Sequence, residues 1–378
     1  MTGLRPLPRV RPGPGAVART VISTWSAVSP YGLDRSDFTA GVRDERHASG
    51  PLVPGFDIRE VLGKKGTRSM DRITALAVAA TGQLLTAPDG GRIDGAGDDT
   101  ALVLGINISS AQSAMDFTRD SLVQDRPYFV NPAHFPNVVL NCAAAQCAIW
   151  HRLQGPNATI SGGRAAGLLA LGYALRLQRS GRATTVACGA AEEYSATRAR
   201  LEHLAEPERP AGALFGEGCA MVLLEPPGRP GASGRTELAE VLALEFGVHR
   251  GPADVRPVLA ACLDRAFAAA GESPDRLWAV ISSGGPDPTG TAEDAALADS
   301  LGAGAPVRLH TTDLVGDTYA ASAAFGLAAA LALAVPEPAV REAAVREAGR
   351  TALVTAVDRD GVVGCALLRL PPGEDSGP

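Results

Sequence analysis

The residues that most resemble catalytic machinery lie at a glycine turn in the middle of the chain. A β-prone run, Ala158–Ser161, leads into Gly162 and Gly163, and an apolar helical pattern leaves from Ala165. A strand that turns sharply into a helix presents the side chain at the turn, and enzymes place nucleophiles at such elbows. The side chain at this elbow is Arg164, which cannot be a nucleophile because its guanidinium stays protonated in proteins. The sequence therefore predicts the geometry of an active site without its nucleophile.

Two further positions carry groups that could act as nucleophiles, Cys188 and Ser283. Cys188 follows a short apolar run and precedes Gly189, which is the pattern of a strand end. Ser283 opens a Gly/Pro-rich loop that leads to a helix with Glu293 in its first turn. A buried thiol at the end of a strand is the favoured interpretation of Cys188, because cysteine is usually buried. Ordinary helix capping could by itself account for the Ser283–Glu293 loop, because acidic side chains favour helix N-termini.

The spacing of the possible metal ligands gives no support to a metal site. Cys142 and Cys147 are five residues apart, and no histidine pair accompanies them as a zinc site would require. The six histidines are scattered along the chain. The sequence also contains no G-x-G-x-x-G after a strand and no Walker A run, so nucleotide binding lacks its usual signature. We expect no metal and no nucleotide cofactor.

The composition indicates a large globular protein with two domain-sized parts. The chain has 378 residues, of which 46% are hydrophobic and 20% charged. A net charge of −6 and only 4% aromatic residues argue against a nucleic-acid partner. No apolar run reaches membrane-spanning length without Gly, Pro or a charge, and the N-terminus lacks the apolar core of a signal peptide. We therefore expect a cytoplasmic protein that does not bind membranes.

Apolar runs alternate with helical patterns along the whole chain, which indicates an α/β fold with mainly parallel sheets. The turn-rich segment Pro226–Gly234 is the clearest boundary between the two parts. The predicted organisation is a disordered extension over 1–19, an N-terminal half over 20–226, a linker over 227–234, a C-terminal half over 235–371 and a disordered tail over 372–378.

Hydrophobic periodicity gives the individual elements. The predicted strands are Thr20–Ser26, Ala101–Ile106, Ala158–Ser161, Thr184–Ala187, Ala220–Leu224, Leu238–Phe246, Leu277–Ser282, Val307–Thr311, Thr351–Val357 and Val363–Leu370. The predicted helices include Met70–Leu85, Asn137–Leu153, Gly167–Gln178, Arg256–Ala270, Ala292–Leu301 and Ala320–Ala334, whereas Pro132–Pro136 and Glu202–Pro210 are predicted loops.

Several short motifs follow one another in a fixed order between about Thr20 and Leu370. They are Ser29-Pro30-Tyr31-Gly32, Phe56-Asp57 with Arg68-Ser69-Met70-Asp71, Asn141 with Leu153–Asn157, the elbow, Cys188–Glu192, Phe215–Gly218, the Ser283–Glu293 loop and the Leu314–Asp317 turn. As an ordered set they resemble a β-ketoacyl synthase of the thiolase superfamily. That resemblance implies a five-layered α-β-α-β-α fold of two similar halves, an obligate dimer, and acyl chains delivered on acyl carrier protein.

The departures from that family fall on its catalytic residues. By the resemblance, Arg164 stands where the family has its nucleophilic cysteine, and Ser283 stands where it has its first histidine. Thr312 matches the family's lysine, Asp317 matches its second histidine, and Val357–Gly361 replaces its gating loop. Without a thiolate there is no acyl-enzyme, and without the imidazole pair nothing stabilises the enolate of a decarboxylating malonyl unit. The resemblance therefore implies no catalytic residue and no condensation by this chain alone.

A retained fold without the nucleophile resembles the chain length factor, the partner subunit of type II polyketide ketosynthases. Those subunits usually carry glutamine at the elbow, so Arg164 departs from them too. The segment between Glu193 and Gly212 is shorter than in typical ketosynthases. By the resemblance, these two departures point to a short, diverged factor that serves reduced polyene chains and not aromatic ones. The resemblance implies a heterodimer with an active ketosynthase, and substrates on the phosphopantetheine of acyl carrier protein. The alternatives are a stand-alone acyltransferase or decarboxylase with a site around Cys188 or Ser283, and a purely structural pseudoenzyme.

A cation at the N-terminus of a helix opposes the helix dipole and needs a counter-ion. The resemblance places Asp317 within reach of the elbow. We therefore predict an Arg164–Asp317 ion pair that fills the former active site. The alternative is that the long side chain of Arg164 extends to solvent.

The resemblance also places the segment before the elbow at the subunit interface, where the growing chain runs. The candidate tunnel or gate residues are Ala133, His134, Phe135, Val138 and Cys142. Their mechanism would be steric, because side-chain bulk at the end of a tunnel sets how many extensions fit. Ordinary interface packing is the alternative role.

Overall fold

The computed structural model describes residues 19–87, 89–207, 209–210, 212–302, 307–334 and 350–371. The predicted terminal extensions, 1–19 and 372–378, lie outside these ranges apart from Arg19. Among the residues in these ranges, no helix is long and apolar enough to cross a membrane.

Ten strands and twelve α-helices make up the described fold. The strands are β1 (Val21–Val28), β2 (Ala101–Ile106), β3 (Asn157–Ser161), β4 (Val186–Glu192), β5 (Gly218–Glu225), β6 (Ala239–Val248), β7 (Leu277–Ser282), β8 (Val307–His310), β9 (Arg350–Val357) and β10 (Val362–Leu370). The helices are α1 (Arg35–Arg43), α2 (Ile58–Leu62), α3 (Arg72–Leu84), α4 (Ala111–Val123), α5 (Cys142–His151), α6 (Ala166–Arg179), α7 (Ala196–Ala205), α8 (Arg229–Ala232), α9 (Pro252–Ala270), α10 (Pro288–Leu301), α11 (Thr311–Val315) and α12 (Ser322–Ala334).

The strands form two sets of five with the same topology. The order is β3-β2-β4-β5-β1 in the first set and β8-β7-β9-β10-β6 in the second, and β1 joins β6 through a short antiparallel ladder. In the first set β5 is antiparallel to β1 and β4, while β2 is parallel to β4 and β3. In the second set β10 is antiparallel to β6 and β9, while β7 is parallel to β9 and β8. The fold therefore consists of two similar halves, as the resemblance implied.

Three hydrophobic cores separate five layers. One core joins α3 and α5 to the outer face of the first set of strands, with Leu76 and Leu104 among its residues. The central core holds α6 and α12 between the two sets, with Leu168 and Phe325 fully buried. The third core packs α9 and α10 against the outer face of the second set. This arrangement is the predicted α-β-α-β-α architecture, and it buries the elbow at Arg164 between the sheets.

Two segments differ from the sequence-based prediction. The helix predicted from Asn137 begins only at Cys142, and the predicted loop before it is a 3-10 helix, Pro132–Val138. The charged stretch predicted as a loop from Glu202 begins inside α7, which continues to Ala205. The N-terminus of α7 is capped because the Ser195 side chain accepts a hydrogen bond from the Arg198 backbone N–H. The two large apolar side chains of α7, Leu201 and Leu204, are exposed, so hydrophobic periodicity gave no signal for this helix.

Candidate functional site

The elbow depends on a glycine because another chain segment lies against it. Strand β3 ends at Ser161, and a single 3-10 turn, Gly163–Ala165, leads into α6. Gly163 has a φ of +52°, and a Cβ at this position would collide with the carboxylate of Asp358. That carboxylate instead accepts the backbone N–H of Arg164 at 2.9 Å. The turn is thereby fixed to the second half of the molecule, and its side chain points between the sheets.

Arg164 is fully buried, at 0% exposure, and is held by two carboxylates. Its Nη1 donates to Asp287 Oδ2 at 2.6 Å, and its Nη2 donates to Asp317 Oδ2 at 3.1 Å. Its guanidinium also lies 5.1 Å from the centre of the Tyr319 ring. The predicted ion pair with Asp317 is confirmed, and the alternative of a solvent-exposed arginine is wrong. Asp287 is a second partner that the sequence did not reveal.

Asp317 is shared with further buried arginines. Arg209 Nη1 lies 2.8 Å from Asp317 Oδ2 and 3.1 Å from Glu206 Oε2. Arg198 Nη2 donates to the backbone carbonyl of Asp317 at 2.9 Å. Glu206 in turn lies 3.7 Å from Arg164 Nη2. The space above the elbow is thus filled by alternating charges instead of an open pocket.

Further ion pairs join the segment of α7 to the loop Val357–Gly361. Arg359 Nη1 contacts Glu202 at 2.6 Å and Glu206 at 2.7 Å. Glu202 and Glu206 come from the segment that follows β4, whereas Arg359 follows β9. We refer to Arg164, Arg198, Glu202, Glu206, Arg209, Asp287, Asp317 and Arg359 as the charge cluster. It clamps the first half of the molecule to the second across the elbow.

The electrostatics of the charge cluster favour the ionised forms of Asp317 and Asp287. Burial alone would raise the pKa of Asp317, but the charges of Arg164, Arg209 and Arg198 hold the pKa well below its usual range. Burial alone would also raise the pKa of Asp287, but the charge of Arg164 and the hydrogen bonds from Thr289 together lower it. A carboxylate that stays ionised at neutral pH and is saturated by arginines is a poor general base. The cluster is suited to structure and not to proton transfer.

Ser283 and Thr312 are occupied by structural hydrogen bonds. Ser283 Oγ donates to Glu293 Oε2 at 2.6 Å and accepts the Val357 backbone N–H at 3.2 Å. Thr312 Oγ1 donates to the Gly284 carbonyl at 2.5 Å. These hydrogen bonds fix the conformation of the 283–287 loop, which places Asp287 within hydrogen-bonding distance of Arg164. The four positions matched to catalytic residues therefore converge, with only Arg164 and Asp317 in direct contact.

Cys188 offers no nucleophile. It lies inside β4, and burial raises the pKa of its thiol far above neutral. All six cysteines are buried and unpaired. A thiol must lose its proton to attack or to bind a metal, so burial makes Cys188 inert.

The tunnel candidates occupy a different environment, in a segment with many exposed apolar side chains. Ala133, His134 and Phe135 are exposed, Val138 is half-buried, and Cys142 is buried. Phe135 is 56% exposed, and its ring lies 5.9 Å from that of Phe117 on α4. We refer to residues 108–149 as the apolar segment; its exposed large side chains are Ile108, Met115, Leu122, Val123, Tyr128, Phe129, Phe135, Val139, Leu140 and Ile149. So many exposed apolar side chains in one segment are typical of an interaction surface.

Comparison with known proteins assigns the family. Residues 22–227, more than half of the chain, match the model of the β-ketoacyl synthase N-terminal domain. The 3-oxoacyl-[acyl-carrier-protein] synthase 2 of Vibrio cholerae is 27% identical over 260 residues, which are 61% of this chain and 60% of that protein. The same enzyme of Vibrio harveyi is 27% identical over 254 residues, 61% of this chain and again 60% of the relative, so the match spans about three fifths of these proteins.

Solved structures extend the likeness to nearly the whole chain. The ishigamide ketosynthase/chain length factor is 44% identical with a TM-score of 0.84, covering 93% of this chain and 99% of that chain. The AntDE:AntF assembly, a type II acyl carrier protein in complex with its ketosynthase, shares the fold at 20% identity and a TM-score of 0.73, with 93% and 99% coverage. By its family match and by its thiolase-like fold, the chain belongs to the β-ketoacyl synthase family.

Proposed function

We propose that this chain is a chain length factor. It is a non-catalytic subunit that forms a heterodimer with an active ketosynthase and shapes the tunnel in which a polyketide, including a reduced polyene chain, is elongated. The observation that carries the proposal is Arg164, which occupies the elbow of a ketosynthase-like fold and is ion-paired there with Asp287 and Asp317. The likeness to the ishigamide ketosynthase/chain length factor supports the same role.

The chemistry at the elbow argues against catalysis by this chain alone. Condensation needs a nucleophile that carries the acyl chain and donors that stabilise an enolate. Arg164 supplies no nucleophile, and its N–H groups are directed at carboxylates of the protein. A substrate would have to displace Asp287 or Asp317 from a buried arginine to reach the elbow, and leaving a buried charge unpaired is strongly unfavourable.

The partner surface in this proposal is the apolar segment. Exposed apolar side chains lose contact with water when two subunits associate, which favours binding. Leu140 lies just before α5 and Ile149 lies in its last turn, and both are exposed. A ketosynthase subunit of similar fold is the partner that the neighbouring structures suggest. The substrates arrive on the phosphopantetheine of acyl carrier protein, for which the AntDE:AntF complex is a precedent.

Co-expression tests the heterodimer. We expect the chain to be recovered as a stoichiometric complex with the ketosynthase encoded beside it, and only the complex to elongate malonyl units on acyl carrier protein. Recovery of a stable homodimer that becomes acylated by itself would overturn the proposal. It would favour a stand-alone acyltransferase or decarboxylase, although the burial of Cys188 and the engagement of Ser283 do not favour that alternative.

Variants of the 3-10 helix test the tunnel role. Phe135→Ala enlarges the space at the exposed segment and is expected to lengthen the products, whereas Val138→Trp is expected to shorten them. Arg256→Ala, on the exposed face of α9, serves as the control that leaves the product pattern unchanged. Mass spectrometry of the released chains gives the readout. An intact complex with unchanged products from both variants would instead fit a purely structural pseudoenzyme.

A further inference from the structure

An aromatic turn follows α4 and precedes the 3-10 helix of the apolar segment. Arg126, Pro127, Tyr128 and Phe129 form a β-turn that is closed by a 3.0 Å hydrogen bond from the Phe129 backbone N–H to the Arg126 carbonyl. Pro127 occupies the second position, where its fixed φ suits such a turn. We refer to these four residues as the aromatic turn. Its backbone conformation is restricted before any partner binds.

The side chains of the aromatic turn hold one another in place. The rings of Tyr128 and Phe129 pack edge to face, with their centres 5.2 Å apart and an angle of 86° between their planes. The Arg126 guanidinium lies 5.9 Å from the centre of each ring, and its Nη1 donates a hydrogen bond to the Tyr128 hydroxyl at 2.6 Å. Edge-to-face and cation–π contacts of this kind are attractive. They restrict two rings that would otherwise rotate freely in solvent.

Both rings are nevertheless largely exposed to solvent. Tyr128 is 64% exposed and Phe129 is 52% exposed. Rigid aromatic side chains supply a large contact area at a low cost in conformational entropy, and they are enriched among the residues that dominate binding at protein interfaces. A turn that fixes two rings in solvent therefore has the properties of a binding anchor.

The aromatic turn is continuous with the surface that the proposed function assigns to the ketosynthase subunit. Leu122 and Val123 at the end of α4 are exposed, and so is Phe135 on the 3-10 helix that follows the turn. Exposed apolar side chains therefore flank the turn on both sides along the chain. A partner that covers the apolar segment also covers the two rings.

The free hydrogen-bonding groups of the turn indicate what the partner's pocket contains. The Tyr128 oxygen accepts the hydrogen bond from Arg126, so its own O–H proton is left to donate. Arg126 is exposed and forms no ion pair with any other described residue. A carboxylate accepts hydrogen bonds from an arginine and from a hydroxyl at the same time. An apolar pocket with a carboxylate at its rim therefore complements the aromatic turn.

We propose that the aromatic turn anchors the chain in the ketosynthase subunit, where Tyr128 and Phe129 enter an apolar pocket and a carboxylate at its rim binds Arg126 and the Tyr128 hydroxyl. The inference rests on the proposed heterodimer and names the residues that contribute most to its affinity. Rings that are already held in place lose little conformational entropy on binding, whereas a freely rotating apolar side chain loses more. The binding energy is therefore concentrated in the turn and is not spread evenly over the apolar segment.

Surface plasmon resonance with the ketosynthase subunit compares single variants of this chain. Tyr128→Ala and Phe129→Ala are each expected to weaken the complex by about 30-fold or more, as residues at the centre of an interface do. Leu122→Ala is the matched control, because it removes a more exposed apolar side chain from the same segment but lies outside the turn. It is expected to weaken the complex by less than about 5-fold. All three positions are exposed, so the unfolding curves of the free variants should match that of the wild-type chain.

Arg126→Gln separates the charge of Arg126 from its hydrogen bond. Glutamine keeps an N–H donor for the Tyr128 hydroxyl but carries no charge to pair with a carboxylate. The variant is expected to weaken the complex by about 10-fold at low salt, and its affinity should depend less on salt concentration than that of the wild-type chain. An unchanged salt dependence would show that no carboxylate of the partner faces Arg126, which overturns the inference for this residue.

The outcomes separate the anchor from the heterodimer. Losses of affinity from the two ring variants that do not exceed the loss from Leu122→Ala would show that the binding energy is spread evenly over the apolar segment. That result overturns the anchor and leaves the heterodimer standing. Failure of the wild-type chain to bind the ketosynthase subunit overturns the proposed heterodimer itself.

Discussion

The charge cluster and the apolar segment reverse the usual placement of polar and apolar side chains. At the elbow, Arg164, Arg209 and Asp317 are buried with almost no contact with water. In the apolar segment, Leu122 is 78% exposed and Ile149 is 71% exposed. Charged side chains are rarely buried unless they are paired, and large exposed apolar patches usually mark interaction sites.

This difference in burial indicates which of the two regions can bind another molecule. The carboxylates of the charge cluster are already paired with arginines of the same chain, so the elbow has no unpaired carboxylate with which to hold a substrate. The apolar segment is the opposite case, because its exposed side chains gain free energy only when another surface covers them. The capacity to bind another molecule therefore lies at the exposed apolar segment and not at the elbow.

The largest expected effect comes from breaking the charge cluster. Arg164→Ala leaves Asp287 and Asp317 buried without their shared cation, and removing one partner of a buried ion pair costs about 3–5 kcal/mol. Urea denaturation followed by circular dichroism measures the free energy of unfolding. Arg256→Ala is the matched control, because its pair with Asp299 is exposed and contributes about 0–1 kcal/mol. Equal losses from both variants would show that the cluster is not a stabilising unit.

Much of the fold could be predicted because its strands are buried on both faces. Such strands read as continuous apolar runs, and the predicted Ala101–Ile106 and Leu277–Ser282 agree with β2 and β7 to the residue. The elbow was predicted from its two glycines, and the Arg164–Asp317 pair from the charge at a helix N-terminus together with the family resemblance. The strands and the elbow follow from local sequence, whereas the ion pair follows from a position that the family resemblance matches.

The rest of the charge cluster could not be predicted for a physical reason. Glu206, Arg209 and Arg359 are charged residues in polar segments, and such segments usually lie in solvent. Here Arg209 is buried, and Glu206 and Arg359 are partly buried, because ion pairs join parts of the chain that are far apart in sequence, such as Glu202 and Arg359. Hydrophobic periodicity reports burial by apolar contact, so a helix that is held in place by ion pairs gives no such signal.

A smaller effect is expected at the apolar segment, and only in the complex. Ile149→Asp places a charge on an exposed position of α5, so the isolated chain should lose less than about 0.5 kcal/mol of stability. At a heterodimer interface the same charge is desolvated without a partner, which weakens binding by about 2–4 kcal/mol. Surface plasmon resonance with the ketosynthase subunit measures the change in affinity.

Val248→Asp is the control for that experiment. Val248 is 77% exposed at the end of β6, outside the apolar segment, so its aspartate variant should bind like the wild-type chain. A similar loss of affinity from both variants would contradict the assignment of the interface to the apolar segment.

The smallest expected effect concerns Glu192, which lies between the two regions. Its Oε1 is 3.8 Å from Arg198 of the charge cluster, and the next residue, Glu193, bonds to Ser110 at the start of α4. Burial, partly offset by Arg198, raises the pKa of Glu192 from 4.5 to about 7. Between these values the unfolded chain has released a proton that the folded chain still holds. Stability should therefore fall as pH rises from about 5 to 7, by on the order of 1 kcal/mol per pH unit.

Glu192→Gln keeps an amide carbonyl that can accept the Ala320 N–H and removes the Glu192 titration. Burial raises the pKa of Glu193 to about 7 as well, so Glu193 contributes a similar decline and the variant should reduce the slope by roughly half. Glu240→Gln gives the contrast. The pKa of Glu240 is lowered, first by its hydrogen bond from Arg19, so its contribution is lost only as pH falls below the usual range of a carboxylate. Its glutamine variant should therefore retain the full decline between pH 5 and 7. A slope in Glu192→Gln equal to that of the wild-type chain would show that the folded chain holds this proton on another buried carboxyl, and Glu193→Gln would test that group next.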